Sequence, residues 1–238
     1  MKLLVVGASK GLGKAFVEGL PADGDQVVGI SRTKPKNLLV NRGVTVDWIE
    51  ADLSKPIEAA DLIEQQAPSE LDVIIYNLGI WEASAFSDDY QFEKSSDQEV
   101  FNLIQVNITA AIILLKRLIP RLLNSARPQI VLTGSTSGLP QSGQPEVAFG
   151  ASKFALRGIA DALREGFRHK RLSVTCLQLG DLNTDIGISE PLSKACQYGN
   201  GRFIPLHDVV AITKTLLNLS PCSFVKEIVL PAVCDERF

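Results

Sequence analysis

Three glycines carry the first chemical suggestion in this sequence. Gly7, Gly11 and Gly13 stand directly after the apolar run at 3–6 and before an amphipathic stretch that predicts a helix over about 14–20. A continuous apolar run with a β-branched end predicts a strand buried on both faces. Strand, glycine turn and helix in that order make a phosphate site. Glycine lets the backbone turn tightly and lets a pyrophosphate approach, and the helix start offers unpaired N–H groups and the positive end of a dipole. The spacing is G-x-x-x-G-x-G, not the commoner G-x-G-x-x-G.

A second group of residues addresses the choice of nucleotide. The run QVVGIS at 26–31 predicts a second strand, with Arg32, Thr33 and Lys34 at its end. In a dinucleotide-binding sheet that end lies beside the adenosine ribose. An acid there holds a free 2′-hydroxyl, and an arginine accommodates a 2′-phosphate. Here Ser31 stands where the acid would be, followed by Arg32, with Lys10 as a second cation inside the glycine turn. Two cations and no acid predict NADP(H).

The elements that must position these residues alternate along the chain. Strands are predicted at 44–50, 72–76, 129–133, 172–179 and 227–230. Between them lie a helix start at Ser54 and Pro56, a long helix over 98–124 kinked or ended at Pro120, and helices over 149–169 and 207–219. A polar connection of weak periodicity fills 180–203. Alternation of this kind predicts parallel βαβ crossovers, a doubly wound Rossmann-type sheet of about seven strands with helices on both faces, and one domain over 1–238.

Composition narrows the function classes. The 238 residues are 45% hydrophobic and 21% charged, with a formal net charge of −3, which disfavours nucleic acid as partner. No apolar run is expected to cross a bilayer, and the chain opens on a buried strand. Cys176, Cys196, Cys222 and Cys234 show no paired spacing, and His169 and His207 are the only histidines, so no metal site is expected. Reduced thiols and a cytoplasmic location follow as expectations.

Taken in order, the motifs resemble the short-chain dehydrogenase/reductase family over essentially the whole chain. GASKGLG looks like its cofactor turn, which implies contacts from Gly7, Ser9, Lys10, Gly11, Leu12 and Gly13. Asp52, with Leu53, resembles the acid that meets the adenine. Asn77-Leu78-Gly79 stands for the family's N-A-G, with Leu78 for alanine and Tyr76 for the usual preceding asparagine. Asn107 falls in the long helix at the place of a catalytic asparagine, and Ser135 opens S-T-S-G like the serine that holds the substrate oxygen. Lys153 in FGASKFAL matches the lysine of Y-x-x-x-K. LGDLNT resembles P-G-x-x-x-T with leucine for proline, bringing Leu182 and Thr184 to the cofactor.

One position departs from that pattern. Phe149 stands where the family carries the tyrosine whose phenol gives a proton to the substrate carbonyl. General acids contribute about 10²- to 10⁴-fold in rate, so ordinary ketone reduction should be impaired. Three readings stay open. The first is conjugate hydride addition to an activated C=C, the enolate being held by Ser135 and a water. The second is carbonyl reduction with the proton from Tyr90 or Tyr198. The third is a non-catalytic NADP-binding protein, or a reductase disabled by the substitution. In each, Lys153 would hold the nicotinamide ribose and Asn107 a supporting water. A lid over about 185–205 with Gly187, Gly199 and Gly201 as hinges would select a small-molecule substrate. The resemblance also implies a homodimer or homotetramer, with Ile112, Leu118 and Phe154 as outward apolar residues.

Overall fold

The computed structural model describes residues 1–236. Its frame is a parallel sheet built from β1 (Lys2–Val6), β2 (Gln26–Ser31), β3 (Thr45–Glu50), β4 (Val73–Tyr76), β5 (Gln129–Thr133), β6 (Ser173–Leu179) and, near the C-terminus, β9 (Glu227–Leu230). The strand order is β3-β2-β1-β4-β5-β6-β9 and every pairing is parallel. The order reverses between β1 and β4, and at such a switch point a crevice opens outside the carboxyl ends of the strands.

Strand alternation divides the core into two halves. Leu4 and Val6 of β1 join Ile74, Tyr76, Ile130 and Leu132 in the cluster that takes in α2 (Pro56–Gln66), α4 (Ala110–Leu122) and α5 (Val147–Gly166). Leu3 and Val5 turn the other way and meet α1 (Gly11–Gly19) and α7 (Leu206–Leu217). Both faces are apolar because both are covered. Each of these side chains is fully buried, worth about 1.5–3 kcal/mol of transfer free energy.

The helices depart from expectation in instructive ways. α1 begins at Gly11 rather than near Lys14, since glycine at a helix start still contributes its carbonyl. The expected long helix is α3 (Asp97–Ile104), a π turn over Gln105–Thr109, and α4. It passes through Pro120, which has no N–H to give the Lys116 carbonyl, and stops two residues later at Leu122. The combined helix Asp97–Leu122 is long and apolar enough to cross a membrane by length and composition, contrary to expectation, yet half of its most apolar window is packed inside the fold. Leu118, expected to face outward, is buried in the core, while Ile112 and Phe154 are exposed. Residues 180–203, expected as a polar connection of weak periodicity, carry β7 (Leu182–Asn183) and α6 (Leu192–Gln197), and β7 pairs with β8 (Ile204–Pro205) just beyond them.

The turn after β1 shows why its glycines are needed. Gly7 and Gly11 have φ of +79° and +52°, and a Cβ on Gly13 would stand 2.0 Å from the Gly7 carbonyl oxygen. That contact is with backbone, which cannot step aside. Gly13→Ala should therefore cost at least about 3 kcal/mol in a chemical melt. Gly158→Ala, where an added methyl meets nothing within 4 Å in the exposed middle of α5, should gain about 1 kcal/mol. Equal effects of the two substitutions would contradict this account.

Candidate active site

The carboxyl ends of β1, β4, β5 and β6 bring the expected residues to one edge of the sheet. After β1, the amides of Gly7 and Ala8 donate to the Ile30 carbonyl at 2.9 and 3.0 Å, tying the turn to β2. Lys10 stands at the N-cap of α1 without a side-chain cap, and no acid occupies the first turn. The opening N–H groups of that helix are thus left for a ligand, with the dipole favouring an anion. Asn77 donates its amide proton to the Val6 carbonyl at 3.1 Å, and its Nδ2 would lie 2.9 Å from a Cβ on Gly13. A Cβ on Gly11 would meet the Thr184 methyl at 3.4 Å, so the stretch 182–184 closes over the turn as well. Leu12 is buried beneath the turn and Ser9 is half-buried. A backbone cradle, uncapped amides and missing side chains together fit a dinucleotide.

At the adenosine end, Ser31 is engaged. It donates to the Thr33 carbonyl at 2.8 Å and accepts from Trp48 Nε1 at 3.1 Å. Arg32 and Lys10 are exposed, and among the described residues neither forms an ion pair. Asp52 is exposed and accepts the Ser54 amide at 3.1 Å, while Leu53 is buried.

Asn107 sits in the π turn, where the helix widens and frees its side chain. Its Nδ2 donates to the Ile80 carbonyl at 2.7 Å and to Ser152 Oγ at 3.0 Å, and its Oδ1 accepts the Ile80 amide at 2.8 Å. The buried Tyr76 hydroxyl donates to the Val106 carbonyl inside the same turn at 3.4 Å. Widened turns of this kind are rare and concentrate at functional sites. Asn107 thereby fixes the chain just after Gly79, and a Cβ on Gly79 would lie 3.3 Å from Lys153 Nζ.

Lys153 is buried, and its ammonium donates to the Thr133 carbonyl at 3.1 Å. The Phe149 ring lies 5.3 Å from Nζ. Burial, with little to compensate it, lowers the Lys153 pKa from 10.5 to about 8. Ser135 is half-buried. Its Oγ accepts the Ser137 amide at 3.2 Å and lies 3.3 Å from Ser137 Oγ.

Phe149 is nine-tenths buried and edge-on to Phe86 and Trp81, with ring centroids 5.3 and 6.3 Å away. It packs with Leu103, Val100 and Ile104 of α3. The start of α5 that carries it is held by groups that sequence reasoning missed. Glu82, fully buried, accepts the amides of Ala148 and Phe149 on one oxygen at 3.0 and 3.2 Å. The Tyr90 hydroxyl accepts the Val147 amide at 2.9 Å and donates to Glu82 at 3.4 Å. An acid thus caps the helix from outside its own chain segment. The buried Glu146 accepts the Phe86 amide at 2.8 Å. The only trace in the sequence is a pair of acids among apolar neighbours.

Both tyrosines considered as proton donors are committed elsewhere. Tyr90 caps α5, and burial raises its pKa above the ordinary 10.0. Tyr198 donates to Asp185, which likewise raises its pKa. Both hydroxyls are thus engaged with other groups of the protein.

Comparison with known proteins then decides the family. The family model described as short chain dehydrogenase matches residues 2–194. The chain belongs to that family of oxidoreductases. It is similar to the 3-ketodihydrosphingosine reductase of Bacteroides thetaiotaomicron, 28% identical over 185 residues, which are 76% of this chain and 64% of that protein. It also resembles the NADPH-dependent pterin aldehyde reductase of Arabidopsis thaliana, 26% identical over 198 residues, covering 77% of this chain and 76% of that one. The chain thus spans less than two thirds of the first of these relatives. Among solved structures, the alcohol dehydrogenase of the archaeon Thermococcus sibiricus complexed with 5-hydroxy-NADP superposes with a TM-score of 0.76 at 21% identity, covering 98% of this chain and 96% of that one. That likeness is one of fold.

The Lys153 environment has a measurable consequence. Its folded pKa near 8 lies below the unfolded 10.5, so between those values the unfolded chain binds more protons and stability rises with pH. The cost of the buried ammonium is fully present below pH 8. Lys153→Met should be the more stable protein there, by on the order of 3 kcal/mol, with the gap closing by about pH 10.5. A gap that does not depend on pH would refute the burial of a charged Lys153.

Proposed function

We propose that this chain is an NADPH-dependent reductase that adds hydride to an activated carbon–carbon double bond of a small molecule. The observation that carries this reading is the apolar Phe149 ring beside Lys153, at a place where the family resemblance implies a phenol, with Tyr90 and Tyr198 both tied to carboxylates. Conjugate addition leaves an enolate and needs no proton on oxygen at the moment of transfer. Bound NADPH supplies the hydride, and solvent supplies the proton to carbon. Ser135 holds the substrate oxygen and stabilises its developing charge. Lys153 holds the nicotinamide ribose, Asn107 positions a water beside it, and Phe149 forms an apolar wall. Gly7, Ser9, Lys10, Gly11, Leu12 and Gly13 cradle the pyrophosphate. Asp52 and Leu53 meet the adenine, Arg32 and Lys10 the 2′-phosphate, and Asn77, Gly79, Leu182 and Thr184 the nicotinamide half.

The chain acts as a single domain whose segment 185–205 is a lid, in a cytoplasmic homodimer or homotetramer. Exposed Ile112 and Phe154 are available to such an assembly. A second reading, carbonyl reduction, is favoured by the lowered pKa of Lys153, near 8, which leaves a buried ammonium able to release a proton near neutrality. The reductase names of the relatives, for ketone and aldehyde substrates, point the same way.

NADPH oxidation with 2-cyclohexen-1-one and cyclohexanone, with products identified by mass and NMR, separates these readings. The unmodified chain should saturate the alkene and leave the ketone untouched. Phe149→Tyr should raise ketone reduction by about 10²- to 10⁴-fold. Ketone reduction by the unmodified chain would instead establish the second reading. For the cofactor, Arg32→Asp should lower the NADPH-to-NADH affinity ratio by roughly tenfold to a hundredfold, since a hydrogen bond to a charged group is worth about 1.5–3 kcal/mol. An unchanged ratio would remove Arg32 from the 2′-phosphate site.

A further inference from the structure

The turn that carries Ser135 is short, rich in small residues and lacks a rigid strand or helix of its own. Ser135 opens it, Thr136–Gly138 complete one 3₁₀ turn, and the Gly138 amide donates to the Ser135 carbonyl at 2.9 Å. Something outside the turn must set where the serine hydroxyl sits relative to Lys153.

A chain of three side chains runs from this turn to the far edge of the sheet. Gln178, on β6, is fully buried, and its Oε1 accepts the Ser135 amide at 3.0 Å. Its Nε2 donates to Glu227 Oε1, on the edge strand β9, at 2.7 Å. Arg157, one helical turn beyond Lys153 on α5, grips Glu227 from Nε at 2.8 Å and from its second amino group at 3.4 Å. The remaining amino group of Arg157 donates to the Gly138 carbonyl at 3.2 Å. The two ends of the serine turn are therefore held by one network, Gln178 at the Ser135 amide and Arg157 at the Gly138 carbonyl.

The chemistry allows only one orientation of this network. A backbone amide can only donate and a carboxylate only accept, so the Gln178 side chain cannot flip without losing both bonds. The neighbouring glycines are matched to it. A Cβ on Gly134 would stand 2.2 Å from Gln178 Oε1, so only glycine lets the side chain reach the next amide. A Cβ on Gly138 would stand 2.9 Å from the backbone of Lys153, so the turn rests directly on the residue beneath it.

We propose that Gln178 is a positioning residue for the proposed reaction, fixing Ser135 against Lys153 under the control of the Arg157–Glu227 pair. The inference rests on the reading of Ser135 as the group that holds the substrate oxygen. Both polar atoms of the Gln178 side chain are spent inside the protein, on the Ser135 amide and on Glu227. Its effect passes through one hydrogen bond to a backbone amide, and groups that orient a reacting residue from behind alter rates when they are lost.

Hydrogen exchange resolved at the Ser135 amide tests this without any substrate, and turnover of 2-cyclohexen-1-one tests its consequence. Gln178→Met keeps the volume and removes both bonds. The Ser135 amide should then exchange at least about tenfold faster while Val5 in β1 stays protected. The turnover number should fall between roughly tenfold and a hundredfold at unchanged NADPH affinity. The pair Q178E/E227Q reverses donor and acceptor between the two side chains, and should recover protection and turnover relative to Q178E alone. Should Gln178→Met fail to fold, Glu227→Met, which leaves no acceptor for Gln178 or Arg157 at a half-exposed position, must still speed exchange at Ser135. Unchanged exchange in these variants, or faster exchange throughout the sheet, overturns the proposal. If exchange responds but Ser135→Ala turns over cyclohexenone as the unmodified chain does, the positioning stands and the reading of Ser135 falls. If Ser135→Ala is impaired and Gln178→Met is not, the reverse holds.

Discussion

A buried ammonium is the constraint around which the site is arranged. Lys153 lies on the inner face of α5, next to the carboxyl end of β5, and the Thr133 carbonyl is its one hydrogen-bond partner among the described residues. A charge in that position costs free energy, visible in its lowered pKa, and the surrounding backbone must come close enough to limit the cost. Gly79 and Gly138 supply that approach, because neither carries a side chain between the lysine and its own strand end. The π turn serves the same end by another route. By holding Ile80 through both its amide and its carbonyl, Asn107 keeps the segment after β4 pressed toward Lys153. Remove the buried cation and these close contacts have no common purpose.

Rigid attachment in this site comes from backbone groups held by side chains on other elements. Glu82 and Tyr90 hold the first amides of α5, Asn107 holds Ile80, and Gln178 holds Ser135. In each case the anchoring residue is buried or partly buried and the anchored amide or carbonyl is close to a proposed functional side chain. Bonds of this kind cost little entropy to form within a packed fold, since the anchored group is already ordered. They also lose more when broken than they contribute when intact, because a buried amide is left without a partner. The geometry of the site is thus defended by its surroundings more strongly than by its own side chains.

The extent to which this was legible in the sequence follows from what periodicity and spacing can encode. All seven strands of the main sheet lie within a residue of their expected places, most as apolar runs bounded by polar residues or glycine, β3 and β6 with Asp47 and Gln178 inside the run. The glycine turn was legible because its spacing and its flanking elements carry the same message. Gln178 was not, since one glutamine inside LSVTCLQL reads as a polar interruption until β9 places Glu227 beside it. Glu82 was hidden for the same reason: its partners are the amides of residues more than sixty positions away. The outward assignment of Leu118 failed because helical periodicity gives a face but not which neighbour covers it, and here the sheet does.

The same reasoning bears on Phe149. Two aromatic edges, the apolar face of α3 and a doubly capped helix start hold this ring. A phenol in the same nest would have to find a partner for its hydroxyl, and the partner at hand is the ammonium 5.3 Å from the ring centre. The phenyl ring makes no such demand. It leaves Lys153 with less compensation for burial and removes from the site the oxygen acid that carbonyl reduction uses. Both consequences come from the loss of one atom, and they pull apart: one takes an oxygen acid from the site, the other leaves an ammonium that gives up its proton more readily. Under the proposed reading the reaction passes through an enolate and takes its proton later, on carbon, so the missing phenol is no handicap; under the carbonyl reading the ammonium must do the phenol's work.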